Sequence, residues 1–295
     1  MPETIQDQWA QWLLQRRHGG DLEHQQAMLQ ELFAIRDQVL QHASLAEGET
    51  LLDVGAGDGL IAFGALPLVG EQGTVIFSDI SQDLLDHCQA LAEQMGVLER
   101  CRFVRASADD LAPFADGSVD VVTTRSVLIY VAAKQRALHE FYRVLKPGGR
   151  ISLFEPINRF SFPEPPQRYF GYDVAAVQDS AEKVKAGYGR LMKGDLSAHS
   201  SMGDFDERDL LRLAEKAGFE EVHLDLQVNI TPKKPQGWEG FWRSSPNPLA
   251  PTLEEVMQEV LTPAEAERFT AHLQPLVEQG HGTDRMALAY LWAKK

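Results

Sequence analysis

Residues Leu51 to Gly59 read LLDVGAGDG. An apolar run of strand length, an acidic residue near its end and three glycines alternating with other residues describe a strand that turns sharply into a helix. Lacking a Cβ, Gly55, Gly57 and Gly59 can take positive φ and let a ligand approach the backbone. The N-terminus of the following helix offers unpaired N–H groups. The turn reads as a nucleotide cradle, and its details narrow the nucleotide. A dinucleotide fingerprint would place its third glycine where Leu60 stands, and no Lys followed by Ser or Thr ends the turn as in a phosphate-gripping loop. Asp53, two residues before Gly55, would repel a phosphate but can accept hydrogen bonds from a ligand ammonium, directly or through water. A cationic nucleoside bearing an amino acid fits.

A second strand, Thr74 to Ser78, ends in Asp79, about twenty residues beyond Gly59, the interval at which an acid meets both ribose hydroxyls. With these features in this order the chain resembles the class I S-adenosylmethionine-dependent methyltransferases. The resemblance spans roughly Glu49 to Leu226 and the tail from Arg285. It implies an α/β fold: a Rossmann-like, doubly wound seven-stranded sheet with an antiparallel last strand, N-terminal helices and two mostly helical insertions. It also implies a cofactor set of Asp53, Gly55, Ala56, Gly57, Asp79, Ile80, Ser107, Ala108 and Arg125. In the adenine loop SADDLAPFADGSVD (Ser107 to Asp120), many relatives carry Asp where this chain has Ser107. The exocyclic amine is therefore assigned to Ser107, to Asp109 or to the backbone near Ala108, with Ser107 and Ala108 preferred.

The fourth strand, Val119 to Thr124, leads into TRSVLIYV, which in the family lies under the methionine part of the cofactor and opens onto the substrate; Arg125, Ser126 and Tyr130 fall there. HEFYRVLKPGG (His139 to Gly149) resembles the family's helix and turn before strand five, Arg150 to Phe154, with Pro147 and the glycine pair ending the helix. FDERDLLRLAEKAGFEEVHLDL supplies a helix capped by Asp204 or Asp206, a stop at Gly218 and strand six, and RMALAYLWAKK is the last strand.

The organisation expected is a helical cap over 1–48 and a methyltransferase domain over 49–295, with a lid insertion at 155–203 and a helical insertion at 231–284. Helical spacing over Trp9 to His18, a break at Gly19-Gly20 and a helix over Leu22 to Ala43 describe the cap. In relatives such helices close over the cofactor, which makes Arg16, Arg17 or His18 candidates for its carboxylate; the alternative is solvated arginines beside a hinge. The lid begins EPINRFSFPEPPQRYFGYD, with a helix from Val174 to Met192. Its prolines stiffen the path, and its rings either wall an apolar pocket or pack the lid onto the core. Glu155, Arg159, Tyr169 and Tyr172 join Ser126 and Tyr130 as substrate candidates. The second insertion carries capping boxes at Thr252/Glu255 and Thr262/Glu265. It covers the site or makes a homodimer contact.

Composition narrows the acceptor. The chain has 295 residues, 43 acidic against 28 basic, for a net charge of −15. That balance repels a phosphate backbone, so nucleic-acid substrates are disfavoured. Cys88 and Cys101 have no metal-ligand spacing and read as small buried hydrophobes. No metal is expected, and arsenite chemistry, which uses several cysteines, is disfavoured. The polar start MPETIQDQWA and the lack of a long apolar run predict a cytoplasmic protein with no membrane partner. The predicted reaction is in-line methyl transfer from S-adenosylmethionine to a small molecule with an aromatic or apolar part. Protein methylation and non-catalytic cofactor binding are the alternatives. Alignment supplies most of the rate, and Glu155, His199 or His18 are candidate bases should the acceptor need one.

Overall fold

The computed structural model describes residues 7–17, 19, 22–192 and 201–295. His18, Asp21 and His199 lie outside the described residues. Helix α1 (Gln8–Gln11), capped by the Asp7 carboxylate on the N–H groups of Trp9 and Ala10, widens into a π-turn over Trp12–Arg16. The long helix α2 (Leu22–Ala43) follows. Parallel strands and helices then alternate as β1 (Thr50–Val54), α3 (Leu60–Val69), β2 (Thr74–Asp79), α4 (Gln82–Gln94), β3 (Cys101–Arg105), β4 (Val119–Arg125), α5 (Lys134–Val144) and β5 (Leu145–Pro156).

The sheet order is β3-β2-β1-β4-β5-β9-β8, with β8 at Glu221–Pro232 and β9 at Thr283–Lys294. Strands β1 to β5 are parallel, and β9 runs antiparallel between β5 and β8. This is the seven-stranded architecture with a reversed last strand that the sequence led us to expect. The strand order reverses between β1 and β4, and a crevice opens there at the carboxyl ends of the strands. The glycine turn, Asp79 and Arg125 all stand at that edge.

Each helix covering the sheet shows its buried stripe in the sequence. In α5, Ala137, Leu138, Phe141 and Val144 are buried at spacings that keep them on one face. In α4, Ser81 caps the first turn and Leu84, Leu85, Cys88 and Ala92 face the core. Cys88 is thus the small buried hydrophobe expected, and burial pushes its thiol pKa up. Asp206, the second of two candidate caps, closes a capping box with Asp209 at the start of α7 (Glu207–Ala217), and Gly218 ends that helix in the left-handed region at φ 104°. One boundary differs from expectation. Helix α5 stops at Val144 with Leu145 already extended at ψ 136°, and β5 begins before the proline-glycine turn. A register shift between Val119 and Val121 absorbs the mismatch.

The two insertions build a helical layer with a core of its own. Helix α6 (Gln178–Leu191) and helix α8 (Trp238–Arg243) each pack on α9 (Leu253–Val260) and α10 (Pro263–Glu278) around Val184, Trp238, Val256, Phe269 and Leu273. Both expected capping boxes are present at the starts of α9 and α10. The first part of the lid forms a two-residue hairpin, β6 (Arg168–Tyr169) and β7 (Tyr172–Asp173). Its turn places Phe170 at φ 45° and Gly171 at φ 82°, with both N–H groups donated to the Glu164 carboxylate at 2.7 and 2.6 Å. A Cβ at Gly171 would lie 2.1 Å from the Thr283 carbonyl, so the close approach of hairpin and β9 requires glycine. No described helix is long and apolar enough to cross a membrane.

Phe141 is fully buried between α5 and the sheet. Phe141→Ala should therefore cost about 3–5 kcal/mol of stability, read as a lowered midpoint in urea.

Candidate active site

The crevice at the strand ends is a groove with a cavity volume of about 280 Å³. Its floor is the glycine turn. Gly55 N–H and Ala56 N–H donate to the Ser78 carbonyl at 2.7 and 3.0 Å, and Gly57 N–H donates to Asp79 Oδ2 at 2.9 Å. Asp79 Oδ1 accepts from Ser81 N–H at 2.9 Å. One carboxylate therefore ties the turn to the start of α4. Gly55, Gly57 and Gly59 all have positive φ, and a Cβ on Gly55 would sit 2.4 Å from a Val127 methyl. The turn lies flat enough for a ligand only because those positions carry no side chain.

Asp79, Ile80, Ser107 and Ala108 line the end of the groove beside β2, together with Asp109. Ile80 is exposed to the groove, and Ser107 Oγ donates to the Asp109 carboxylate. Gly55 and Gly57 line the middle, and Arg125, Ser126 and Tyr130 line the far end. Ser126 sits at φ 56°, an uncommon conformation for a residue with a Cβ, held by its N–H donating to the Phe154 carbonyl at 2.8 Å.

Other expected residues stand off the groove. Ala56 is buried beneath the turn. Asp53 lies behind it, accepting from Thr123 Oγ1 at 2.8 Å while its other oxygen has no hydrogen-bond partner. Burial pushes Asp53 up to about 7 despite that bond. Glu155 is 1% exposed; its Oε1 accepts from the N–H groups of Val127 and Leu128 at 2.9 and 2.8 Å, and its Oε2 from Ile129 N–H at 3.2 Å. Burial pushes it up to about 7 as well, and those bonds pull the other way. Arg159 points outward near Asp206 and Asp209, at 3.9 and 4.0 Å. Tyr169 and Tyr172 are not groove walls: both lie in the core of the helical layer, Tyr169 hydroxyl against Tyr188 hydroxyl at 3.1 Å. A ring between two layers buries more apolar area than a ring at an open mouth, and the core holds these two.

The groove roof is formed by the first turns of the cap, which was expected to close over the cofactor through its arginines; the side chains that do so are others. Trp9, Trp12 and Leu13 cover the cavity, with the Trp9 ring edge-on to Tyr130 at 5.1 Å and Leu13 over Gly57. The cap is pinned at both ends. Asp7 accepts from Ser81 Oγ at 2.6 Å and donates its N–H to Asp83 Oδ2 at 2.6 Å. Trp12 Nε1 donates to the Ser245 carbonyl at 2.9 Å, and Arg16 pairs with Glu255 at 2.6 Å. The second insertion thus holds the cap down instead of lining the groove.

The sequence model of the ubiE/COQ5 methyltransferase family matches residues 28–229. The chain belongs to this family. It is 31% identical over 187 residues to the ubiquinone/menaquinone biosynthesis C-methyltransferase UbiE of Escherichia fergusonii, covering 61% of this chain and 70% of that one. The protein of the same name from Escherichia coli O1:K1 / APEC is 32% identical over the same coverage. Among solved structures, a candidate methyltransferase from Bacillus halodurans C-125 superposes with a TM-score of 0.53 at 23% identity, covering 88% of this chain and 98% of that one. The cyclase SpnF superposes with a TM-score of 0.52 at 22% identity, covering 89% and 81%. The ubiE/COQ5-family chain is accordingly an S-adenosylmethionine-dependent methyltransferase acting on a small molecule, and its groove suits that donor: acidic beside β2, glycine-floored in the middle, cationic at the end beside β4.

The two buried carboxylates set a pH dependence. Both have folded pKa values near 7, above the ordinary carboxylate values of 3.8 and 4.5. The folded chain therefore holds more protons than the unfolded one between about pH 4 and pH 7, and stability falls as pH rises through that window before levelling. Glu155→Gln should shrink the fall, measured as urea midpoints from pH 5 to pH 8. An unchanged profile would show that Glu155 ionises normally.

Proposed function

We propose that this chain transfers a methyl group from S-adenosylmethionine to a ring carbon of a small hydroxylated aromatic acceptor of the quinol type. The observation that carries this reading is the groove's apolar end: Val127, Tyr130 and Val131 stand there beneath Trp9, next to Arg125, a flat and mostly apolar space with one cation. The names of the relatives point the same way, to C-methylation in quinone biosynthesis.

In this reading Asp79 receives the ribose hydroxyls on the lone pairs its backbone bonds leave free, and Ile80 and Ala108 sandwich the adenine beside Ser107. Arg125 and the glycine turn flank the amino-acid end, with Asp53 shaping the turn from behind. The donor supplies a methyl group already activated on a sulfonium sulfur, so the pair of the broken C–S bond stays on sulfur. The protein's task is alignment: the Trp9 and Trp12 roof and the β4 loop exclude water and fix the acceptor ring in line. Glu155 is a positioning residue rather than a base, because its oxygens are spent on the N–H groups of the β4 loop.

The test is transfer from a methyl-labelled donor to soluble short-chain benzoquinols and naphthoquinols, with the new methyl located by NMR. A label on a ring carbon is the expected outcome. A label on oxygen or on protein, or none with any quinol, would defeat the reading. Asp79→Ala should weaken S-adenosylhomocysteine binding by about 100-fold, on the order of two charge-assisted hydrogen bonds, and should also lower the melting temperature of the free protein, because the Gly57 and Ser81 N–H groups lose their acceptor. Titration calorimetry reads the first and a thermal melt the second. Glu155→Gln should raise KM for both substrates more than it lowers kcat, whereas a general base would lose kcat.

A further inference from the structure

The loop after β4 is held on its N–H side by Glu155, and its carbonyl side is held by a different part of the chain. Ser201 Oγ donates to the Ile129 carbonyl at 2.7 Å, and Lys134 Nζ donates to the Val131 carbonyl at 3.0 Å. The same ammonium donates to the Ser201 carbonyl at 3.0 Å and pairs with Asp204 Oδ1 at 2.7 Å. An ammonium has three N–H donors, and these three oxygens match them. Lys134 is 6% exposed, with its Nζ 5.0 Å from the centroid of the buried Phe205 ring. Tyr130, Val131 and Ala132 line the groove. One buried cation therefore joins the groove wall to the stretch ahead of α7.

Helix stability does not account for this cation. Lys134 opens α5, at the end where the helix dipole is positive and a cation is disfavoured. The N-cap, Ala133, makes no side-chain hydrogen bond, and the first turn holds no acid. Taking an ammonium out of water is costly as well, and a packed apolar side chain would spare that cost. A start that breaks several local rules at once is expected where a site has to be held in place.

We propose that Lys134 is a positioning residue for the methyl acceptor: by locking the wall at Val131 to Ser201 and Asp204 it fixes which ring carbon faces the donor's methyl. The inference rests on the methyl-transfer reading above and adds the residue that sets its regiochemistry. Ile129 is gripped from both sides, its N–H by Glu155 and its carbonyl by Ser201, so Tyr130 stands between two fixed peptides. The ribose end of the groove is independent of this joint, because Gly57, Asp79 and Ser81 hold one another there. Loss of the joint leaves the donor bound and lets the acceptor ring turn, and a small misplacement of the ring is enough to change the carbon that reacts.

The test compares wild type with Lys134→Met, which keeps most of the stem and removes the three donors, and with Asp204→Asn, which removes one charge from a half-exposed side chain. The acceptor is reduced 2-methylbenzoquinol, whose open ring carbons give products that NMR distinguishes. Wild type should favour one position, whereas both variants should spread the label and raise KM for the quinol by about tenfold, with S-adenosylhomocysteine affinity held within about twofold. An unchanged product ratio in the variants, no preferred position in wild type, or donor affinity falling in step with the quinol's overturns the proposal. If Lys134→Met does not fold, Asp204→Asn decides by the same outcomes. Wild type that methylates no quinol would defeat the quinol reading instead, and amide hydrogen exchange in the S-adenosylhomocysteine complex then decides for Lys134. In the variants, exchange over Val127 to Ala132 and over Ser201 to Phe205 should rise together by about tenfold with Gly55 to Gly57 unchanged. A rise in only one of the two stretches, or in neither, overturns the proposal.

Discussion

The site depends on one carboxylate bridging two backbone N–H groups. Asp79 takes Gly57 N–H on one oxygen and Ser81 N–H on the other, and so fixes the glycine turn, the end of β2 and the first turn of α4 in a single arrangement. The cost is a charge that is 7% exposed, and burial raises its pKa accordingly. Both N–H groups sit at element ends where no regular backbone partner is available, so the carboxylate satisfies donors that the fold would otherwise leave open. The lone pairs that remain face the groove.

A second carboxylate does the same for the other wall. Glu155 lies at the end of β5 and gathers three successive N–H groups of the loop after β4, the loop that carries Val127 and Tyr130. The two acids stand at corresponding places, one strand end on each side of the switch point. Each trades ionisation cost for a rigid loop. The groove between them is therefore preorganised by buried charge, while the sheet beneath contributes mainly apolar packing.

The central strands and the cradle were legible because their signals are local: apolar runs of strand length, glycine at positions needing positive φ, an acid at a fixed distance; the reversed last strand was legible only through the family resemblance. The wall residues were less legible, for physical reasons that differ case by case. Tyr169 and Tyr172 carry the same chemistry whether a ring closes a pocket or fills a core, and only the arrival of Phe269 and Trp238 from the second insertion decides it. Arg159 was correctly placed near a strand end, but the short helical turn after β5 swings it outward toward α7. Glu155 stands at its strand end but off the groove, bound to loop N–H groups that spacing does not reveal. The cap was expected to close over the cofactor through Arg16, Arg17 or His18, and that Trp9, Trp12 and Leu13 do the covering is a tertiary fact.

The pinned cap has a consequence for traffic through the groove. Its two fastenings are unlike: at Asp7 a carboxylate and an N–H meet polar partners at the start of α4, whereas at Trp12 and Arg16 it is joined to the helical layer by a carbonyl, an ion pair and an indole. A spent donor would lie under this roof, so its replacement requires the roof to part at one of the two fastenings, each of which holds one buried serine, Ser81 at one end and Ser245 at the other. Turnover would be paced by that opening, which places the kinetic bottleneck in residues that never touch the reacting atoms.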